Sequence, residues 1–501
     1  MPDPQYILAL DQGTTSSRAI LFDVFATPVA VAQQDFEQLY PKPGWVEHDP
    51  MTLWQTQRDT AVDVLKQANA TADRVAGVGI TNQRETAVAW NRATGEPVCN
   101  AIVWQDRRTS DHVGRLKADG YDELIRRKTG LVPDAYFSAT KFAWVLERVE
   151  EATRLAAQDN LCLGTVDTWL IYNLTNGERF ITDATNASRT MLYDIEAGRW
   201  DDELLELFGV PRNTLPEVVD SFGPFADVSA IDELKGLPIA GIAGDQQAAL
   251  FGQMCIHPGM VKNTYGTGCF MLMNTGDQLV RSKAESGGSL LTTIALQQGG
   301  GPLYALEGGV FIAGAVVQWL RDGLGFIETS EAVEALANAV PDAGGVHLVP
   351  AFAGLGAPYW DQDARGLISG LTRGTTKAHL ARAALESIAF QSADLLDAMR
   401  RDADELPFIG ELRVDGGAAR NDTLMQMQAD LLQIPVTRPT VTETTALGAA
   451  YMAGLATGFW RDLDSLESNW LTERTFEPMV SAEVAEEALA GWRKAIERAR
   501  L

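Results

Sequence analysis

One segment type occurs twice in this sequence, about half the chain apart. In each copy an apolar, β-rich run enters a short turn of Gly, Thr and Ser, and a second apolar run leaves it. The first copy covers residues 6–23 and the second covers 260–273. Both patterns predict a β-hairpin with a polar tip. Chance similarity of two hairpins is one explanation, but we favour a duplicated architecture whose halves meet near residue 250.

Strands alternate with helices in both halves. Residues 75–81 are a run of β-branched and small residues typical of a buried strand, and residues 412–415 form a short strand that Gly416 and Gly417 end. Helical spacing is found at 51–68, 201–208, 377–400, 421–432 and 482–500. This alternation predicts an α/β fold. A length of 501 residues is enough for two large domains, which we predict at 1–250 and 251–501.

The charge balance excludes one class of partner. The 41 Lys and Arg residues face 67 Asp and Glu residues, which gives a net charge of −26 at pH 7. A field of that sign repels nucleic-acid backbones and anionic lipid headgroups. A nucleotide can still bind in a pocket where backbone N–H groups, an Arg or a metal ion supply local positive charge. We therefore expect small-molecule ligands and no nucleic acid.

The remaining composition favours a cytoplasmic protein. Four scattered cysteines form neither a disulfide framework nor a C-x-x-C zinc pair, and the five histidines show no ligand spacing. Residues 1–5 lack the basic start and apolar run of a secretory signal. The longest uncharged stretch, 286–306, contains Gln, Gly and Pro. It therefore does not predict an integral membrane segment.

The tight turns are candidate phosphate sites. In the first hairpin Asp11 ends a strand, Gly13 permits close backbone approach, hydroxyl residues fill 14–17, and Arg18 adds a cation. The turns at 266–268 and 416–417 also allow close approach of backbone to a ligand. Each turn alone is as consistent with ordinary strand-edge chemistry. Together they favour a nucleotide in a cleft between two halves, without a Walker A loop.

Two polar groups are candidates for binding and activating a second substrate. Arg84 donates and Glu85 accepts hydrogen bonds, which suits a polyol, although a surface turn with a compensated ion pair is the alternative. Asp245 follows a small-residue strand, where α/β proteins place reacting groups, and is our candidate base. Its alternative role is helix N-capping. Trp104 and Tyr136 lie beside further polar residues and are suited either to a core or to shielding carbon chains from water.

Several runs of the sequence together resemble the FGGY family of carbohydrate kinases, and the resemblance extends over nearly the whole chain. The resemblance rests on residues 11–18, 43–50, 81–86, 103–109, 244–247 and 414–417, and on the two family signatures at 136–147 and 366–386. It implies two duplicated domains of the ribonuclease-H-like, actin-like ATPase fold with an interdomain cleft. The runs at 82–85 and 104–108 point to glycerol rather than to pentuloses or gluconate.

The resemblance also implies a role for individual residues. Glycerol is expected at Arg84, Glu85, Trp104, Tyr136, Asp245, Gln246 and Phe270. ATP is expected at Thr14, Thr15, Ser16, Arg18, Thr267, Gly314, Gln318, Gly417 and Asn421. Mg²⁺ is expected at Asp11 and Asp245, mainly through water. Without the resemblance, Gly314 and Gln318 look like an ordinary amphipathic helix start.

The activity implied is ATP-dependent phosphorylation of glycerol to sn-glycerol 3-phosphate, with Asp245 as the base of an in-line transfer. The alternatives are an FGGY kinase for another polyol or ketose and, less favoured, an actin-like ATPase that transfers nothing. We expect a homo-oligomer, either a dimer or a tetramer. Residues 231–238 contain no Arg and 221–238 contain no His. Control by fructose 1,6-bisphosphate or by phosphohistidine is therefore expected to be absent.

Overall fold

The structure is a computed structural model that describes residues 4–283, 290–361, 363–407 and 410–501. The strands of the first half are β1 (Tyr6–Gln12), β2 (Ser16–Phe22), β3 (Pro28–Asp35), β4 (Glu47–His48), β5 (Val75–Asn82), β6 (Val88–Asn91), β7 (Ala101–Ile102), β8 (Leu161–Gly164), β9 (Ile181–Asp183), β10 (Tyr193–Asp194), β11 (Arg199–Trp200), β12 (Glu217–Val219), β13 (Phe222–Asp227) and β14 (Pro238–Gly244). Its helices are α1 (Pro50–Gln67), α2 (Ser110–Ala118), α3 (Asp122–Thr129), α4 (Ser138–Arg148), α5 (Glu150–Ala156), α6 (Val166–Leu174), α7 (Ala184–Ala187), α8 (Asp202–Phe208) and α9 (Asp245–Gly252).

The second half continues the same alternation. Its strands are β15 (Val261–Tyr265), β16 (Cys269–Gly276), β17 (Leu291–Gln297), β18 (Pro302–Val310), β19 (His347–Val349), β20 (Leu367–Ser369), β21 (Leu412–Asp415), β22 (Val436–Pro439) and β23 (Thr472–Phe476). Its helices are α10 (Gly314–Gln318), α11 (Ala332–Ala337), α12 (Lys377–Asp402), α13 (Asp422–Leu432), α14 (Thr444–Thr457), α15 (Leu463–Asn469) and α16 (Ala482–Ala499).

Each half is built on one large mixed sheet, and the two sheets share their central topology. The first has the order β13-β14-β5-β1-β2-β3 and the second has the order β17-β18-β16-β15-β21-β22-β23. In the first, β1 runs antiparallel to β2 and parallel to β5. In the second, β15 runs antiparallel to β16 and parallel to β21. The order β3-β2-β1-β5-β14 is therefore repeated as β18-β16-β15-β21-β22, which confirms the predicted duplication.

The predicted elements are present, with small shifts at their ends. Both hairpins form, β5 and β21 occupy the two predicted strands, and the predicted helix at 421–432 begins one residue later because Asn421 caps it. The predicted C-terminal helix packs on the body through Trp492, which is fully buried and stacks on Phe390 with ring centroids 5.3 Å apart.

Two helices, α9 and α14, link the halves. They pack against each other so closely that a Cβ on Gly448 would lie 1.8 Å from the carbonyl oxygen of Ala248. Although α14 belongs to the second half, it packs on the first sheet, where a Cβ on Gly79 would lie 2.1 Å from the carbonyl oxygen of Ala449. Helix α9 comes from the first half and also contacts β15, β16 and β17. The N-terminus of α9 therefore lies where the two sheets meet.

Candidate active site

The carboxyl ends of three parallel strands form the floor of the site. Asp11 on β1 lies opposite Thr81 on β5, and Asn82 at the end of β5 lies opposite Gly244 at the end of β14. Asp245 follows Gly244 directly, so both predicted acidic residues lie at the same edge of the sheet. Asp245 is the first residue of α9, and Gly244 occupies the N-cap position. The alternative interpretation of Asp245 as the N-cap is therefore wrong by one residue.

Asp245 is held by one of its two carboxylate oxygens. Oδ1 accepts the backbone N–H of Gln246 at 2.7 Å and lies 3.1 Å from Nε of Arg84. Oδ2 receives no hydrogen bond from the described residues, and the side chain keeps 31% of its surface exposed. Burial raises the pKa of Asp245, while the charges of Arg84 and Lys262 oppose this. The arrangement suits a carboxylate that takes a proton from a ligand.

Asp11 lies close enough to Asp245 for the two charges to interact. Burial raises the pKa of Asp11 to about 6, Arg18 opposes the rise, and the negative charges of Glu443 and Asp245 add to it. The edge thus offers two carboxylates of the kind that hydrated divalent cations bind, with Arg18 and Arg84 as neighbouring positive charges.

Arg84 and Glu85 lie in a buried ionic cluster with two residues that the sequence did not single out. Arg84 Nη1 and Nη2 donate to the two carboxylate oxygens of Glu307 at 2.6 and 3.0 Å. Arg189 donates through Nε to Glu85 at 2.6 Å and through Nη2 to Glu307 at 3.0 Å. Arg84 and Glu85 themselves are 3.9 Å apart. Both are almost fully buried, at 3% and 1% exposure, so the surface-turn interpretation is wrong.

The backbone at Glu85 is strained. Its φ is +62°, a left-handed conformation that non-glycine residues rarely adopt. The Ser138 hydroxyl donates to the Glu85 carbonyl at 3.0 Å, and Arg189 holds the side chain. Surrounding structure therefore fixes the carboxylate in one orientation, as is common at functional sites.

Trp104 and Tyr136 form an aromatic wall between the first hairpin and the other residues expected to bind glycerol. We call the residues expected to bind glycerol the acceptor residues, because glycerol would accept the phosphoryl group. Trp104 donates through Nε1 to the hydroxyl of Thr14 at 3.0 Å, and its ring meets the ring of Tyr136 edge-on at 5.5 Å. The buried amine of Lys141 donates to the backbone carbonyls of residues 135, 136 and 137 at 2.5–3.0 Å, which fixes the segment carrying Tyr136. Trp104 thus contacts both Tyr136, which is expected to bind glycerol, and Thr14, which is expected to bind phosphate.

The rest of the first hairpin faces the second half. Thr15 is exposed, while Thr14 and Ser16 are half-buried. Arg18 forms an ion pair with Glu443, the residue before α14. The predicted phosphate residues of the first half therefore lie where the halves meet.

The second hairpin packs on the short helix α10. The N–H of Gly314 donates to the carbonyl of Gly266 at 3.0 Å, and a Cβ on Gly314 would come within 2.6 Å of that oxygen. Thr267 at the tip and Gln318 at the end of α10 are exposed. A π-helical turn at Trp319–Gly323 follows, so this region differs from the ordinary amphipathic helix that the sequence suggests.

The second half also reaches the acceptor residues. The fully buried Lys262 donates through Nζ to Oε1 of Gln246 at 2.5 Å and to the Thr264 hydroxyl at 2.8 Å. A longer contact of 3.4 Å joins the same amine to the carbonyl of Phe270, whose side chain is half-buried. Gln246 and Phe270 are thereby joined through one lysine.

Gly417 and Asn421 follow β21, the strand that pairs with β15 in the second sheet. Gly417 is exposed, and the side chain of Asn421 accepts the N–H of Leu424 at 2.8 Å as the N-cap of α13. None of the contacts found among the described residues joins them to the acceptor cluster. The structure thus gathers the predicted acceptor residues together and leaves the predicted nucleoside residues on the second half.

Comparison with known proteins identifies the family. The model of the FGGY family of carbohydrate kinases matches residues 6–252 with its N-terminal domain and residues 261–457 with its C-terminal domain. The chain belongs to this family. A curated relative named glycerol kinase from Burkholderia pseudomallei (strain K96243) is 57% identical over 496 residues, which cover 99% of this FGGY kinase and 98% of the relative.

Solved structures agree with this assignment. A crystal structure of Plasmodium falciparum glycerol kinase with ADP matches with a TM-score of 0.92 and 35% identity, covering 100% of this chain and 99% of that one. A gluconate kinase from Lactobacillus acidophilus matches with a TM-score of 0.86 and 22% identity, covering 98% of this chain and 97% of that one. The second likeness concerns the fold alone. Both agree with the predicted two-domain α/β architecture of the actin-like ATPases.

The sequence reasoning missed three charged residues of this FGGY kinase. Glu307 is the one charged residue of the largely apolar strand β18, and Lys262 is the one charged residue of β15. A lone charge in a strand that is buried is a signal that a partner must exist, because buried charges are paired. Arg189 lies in a short polar run without periodicity, and nothing in its local sequence marks it.

Within the described ranges, no group of three or more His, Cys, Asp and Glu side chains is arranged to hold a metal ion. None of the described helices is both long enough and apolar enough to span a lipid bilayer.

Proposed function

We propose that this FGGY kinase transfers the γ-phosphoryl group of ATP to a terminal hydroxyl of glycerol. The products are sn-glycerol 3-phosphate and ADP. The observation that carries the proposal is the partly exposed Asp245, held on Oδ1 alone, beside a cluster that offers both donors and acceptors to hydroxyl groups. Glycerol as the acceptor is supported by relatives that bear the name glycerol kinase at 57% identity.

The chemical step needs one base. Oδ2 of Asp245 accepts the proton of the glycerol hydroxyl. The hydroxyl oxygen bonds to the γ-phosphorus, and the bond from that phosphorus to the β-phosphate oxygen breaks. Because such transition states are largely loose, most of the acceleration comes from positioning and from neutralising charge. In this proposal Arg18 and the backbone N–H groups of the two hairpins stabilise the phosphates.

Acceptor recognition divides between polar and aromatic residues. Arg84 donates to the hydroxyls and Glu85 accepts from them, while Gln246 offers an amide held by Lys262. Trp104, Tyr136 and Phe270 cover the carbon edge and exclude water that would otherwise hydrolyse ATP. A three-carbon polyol satisfies this mixed set of donors, acceptors and rings.

The acidic pair fits a hydrated divalent cation. Asp11 and Asp245 lie at one sheet edge, and although burial is the main cause of the rise in the pKa of Asp11, the negative charges of Glu443 and Asp245 add to it. Mg²⁺ is typically bound by one or two carboxylates, substrate phosphates and water, so it does not require a cluster of three protein ligands. When bound, it would neutralise phosphate charge, with these two carboxylates holding it.

Acceptor-dependent ADP release tests the proposal. Purified protein is given ATP and Mg²⁺ with glycerol, xylulose, ribulose or gluconate. We expect the highest kcat/KM with glycerol. A preference for another sugar or polyol would reassign the substrate within the family, and ADP release or filament growth independent of any acceptor would support a non-transferring ATPase. The homo-oligomer, the cytoplasmic location and the absence of control by fructose 1,6-bisphosphate stay predictions from the sequence.

A further inference from the structure

We propose that Glu307, a residue of the second half, is a positioning residue that fixes Arg84 of the first half for acceptor binding. The inference rests on the proposed function, because it assumes that Arg84 contacts the acceptor. It adds a residue from the opposite sheet to the machinery of the reaction.

The register of the second sheet places Glu307 where it can reach Arg84. Lys262 on β15 lies opposite Leu272 on β16, and Leu272 lies opposite Glu307 on β18. Directly opposed residues of neighbouring strands point to the same face, so these three form one row across the sheet. Lys262 and Glu307 are two strand spacings apart in this row, roughly 10 Å.

Helix α9 packs on this same face. Leu272, in the middle of the row, belongs to one apolar cluster with Leu250 of α9. Both charged ends of the row reach the first turn of α9. Lys262 donates to Gln246 directly, and Glu307 acts through Arg84, whose Nε lies 3.1 Å from Asp245.

The contacts leave Arg84 little freedom. Its two terminal nitrogens form a fork with the carboxylate of Glu307, and Nη1 also donates to Oε1 of Gln247 at 3.2 Å. Its Nε lies 3.1 Å from Asp245. A planar guanidinium held at both edges has a fixed plane and direction. Glu307 thus determines how Arg84 is presented beside the candidate base.

The charge of Glu307 also has a second arginine to balance. Burial alone would raise its pKa, but the charges of Arg189 and Arg84 lower it to about 2. Glu307 therefore stays ionised at neutral pH. Replacing it with a neutral residue would leave Arg84 to pair with Asp245 and Glu85 alone, which changes the orientation of the guanidinium.

Glu307→Gln tests this with an isosteric, neutral side chain. Misplacement of a substrate-positioning group by about 1 Å can cost on the order of 10²-fold in rate. We therefore expect kcat/KM for glycerol to fall by about that factor, mainly through a raised KM for glycerol, while the KM for ATP stays within about twofold. Glu307→Asp keeps the charge but shortens the reach, and we expect an intermediate loss.

Asp394→Asn is the matched control for neutralising a buried carboxylate. Asp394 accepts hydrogen bonds from Tyr359 and Trp492 outside the site. We expect it to lower the melting temperature with wild-type KM values. If Glu307→Gln does not fold, Glu307→Asp decides alone, and a glycerol KM within twofold of the wild type in that variant overturns the inference.

Two results would overturn the inference. The first is a glycerol KM within twofold of the wild type in both Glu307 variants. The second is an equal rise of the KM values for glycerol and ATP, which would indicate general loss of structure. Failure of the proposed function is seen separately, in the wild-type protein. If the wild type prefers another acceptor, the same ratios are measured with that acceptor.

Discussion

Replacing Asp245 with Asn isolates the chemical role of its carboxylate. The amide oxygen of Asn can take the place of Oδ1, so the N–H of Gln246 at 2.7 Å and Nε of Arg84 at 3.1 Å both keep an acceptor. What disappears is the negative charge, and with it both the group that can accept a proton and one of the two carboxylates proposed to hold Mg²⁺. The side chain keeps its shape and its neighbours, and Arg84 keeps its fork to Glu307.

The expected magnitude follows from this separation. Loss of general acid–base catalysis costs about 10²–10⁴ in rate, which corresponds to about 2.7–5.5 kcal/mol of transition-state free energy. Burial raises the pKa of Asp245 despite the charges of Arg84 and Lys262, so its ionised form does not stabilise the fold and we expect no fall in the free energy of unfolding. We expect kcat to fall within that range while glycerol binding stays measurable.

The assay compares kcat from coupled ADP release with glycerol affinity from calorimetry and with the melting temperature. Asp202→Asn is the matched control, because Asp202 is also the first residue of a helix and also pairs with an arginine, Arg212. It should leave kcat unchanged. A kcat within about threefold of the wild type in Asp245→Asn would refute the assignment of the base. A large fall in melting temperature would refute the claim that the change is purely chemical.

Two further predictions concern stability and the nucleotide. Burial lowers the pKa of His48 from 6.5 to about 4, so the unfolded chain binds this proton first as pH falls below 6.5 and native stability is lost toward pH 4. In urea titrations, the free energy of unfolding of His48→Gln should therefore fall by about 2 kcal/mol less than that of the wild type between pH 7 and pH 5. Equal falls in the two proteins would contradict this. In Gly314→Ala the new Cβ, 2.6 Å from the oxygen of Gly266, should displace the second hairpin and raise the KM for ATP by about 5- to 100-fold, with the KM for glycerol unchanged. Gly114→Ala in α2 is the control, because a Cβ there meets nothing within 4 Å. An unchanged KM for ATP in Gly314→Ala would show that the hairpin position does not affect nucleotide binding.

The local part of the site could be predicted because its signals lie within short runs. A small-residue strand followed by Asp245 predicts a carboxylate at a strand tip, and β14 does end at Gly244. The polar turns at 12–17 and 266–268 predict hairpin tips, and both hairpins form. These features depend on neighbours within a few residues, where backbone preferences and hydrophobic periodicity act.

The partners of the buried charges could not be predicted. Arg84 and Glu85 are adjacent in sequence and suggest a pair, but Arg84 binds Glu307, 223 residues away, and Glu85 binds Arg189, 104 residues away. Which carboxylate faces which arginine depends on the register of β18 against β16 and on the packing of α9 between the sheets. No local pattern encodes that register.

The sequence by itself determined the duplicated hairpins, the alternation of strands and helices, and the chemical type of the residues at the strand tips. Tertiary structure alone decided that a glutamate and a lysine from the second sheet hold the arginine and the amide of the first. The physical reason is that a charged side chain on a buried strand needs a partner, and only the packing of two sheets around α9 fixes which partner lies within reach.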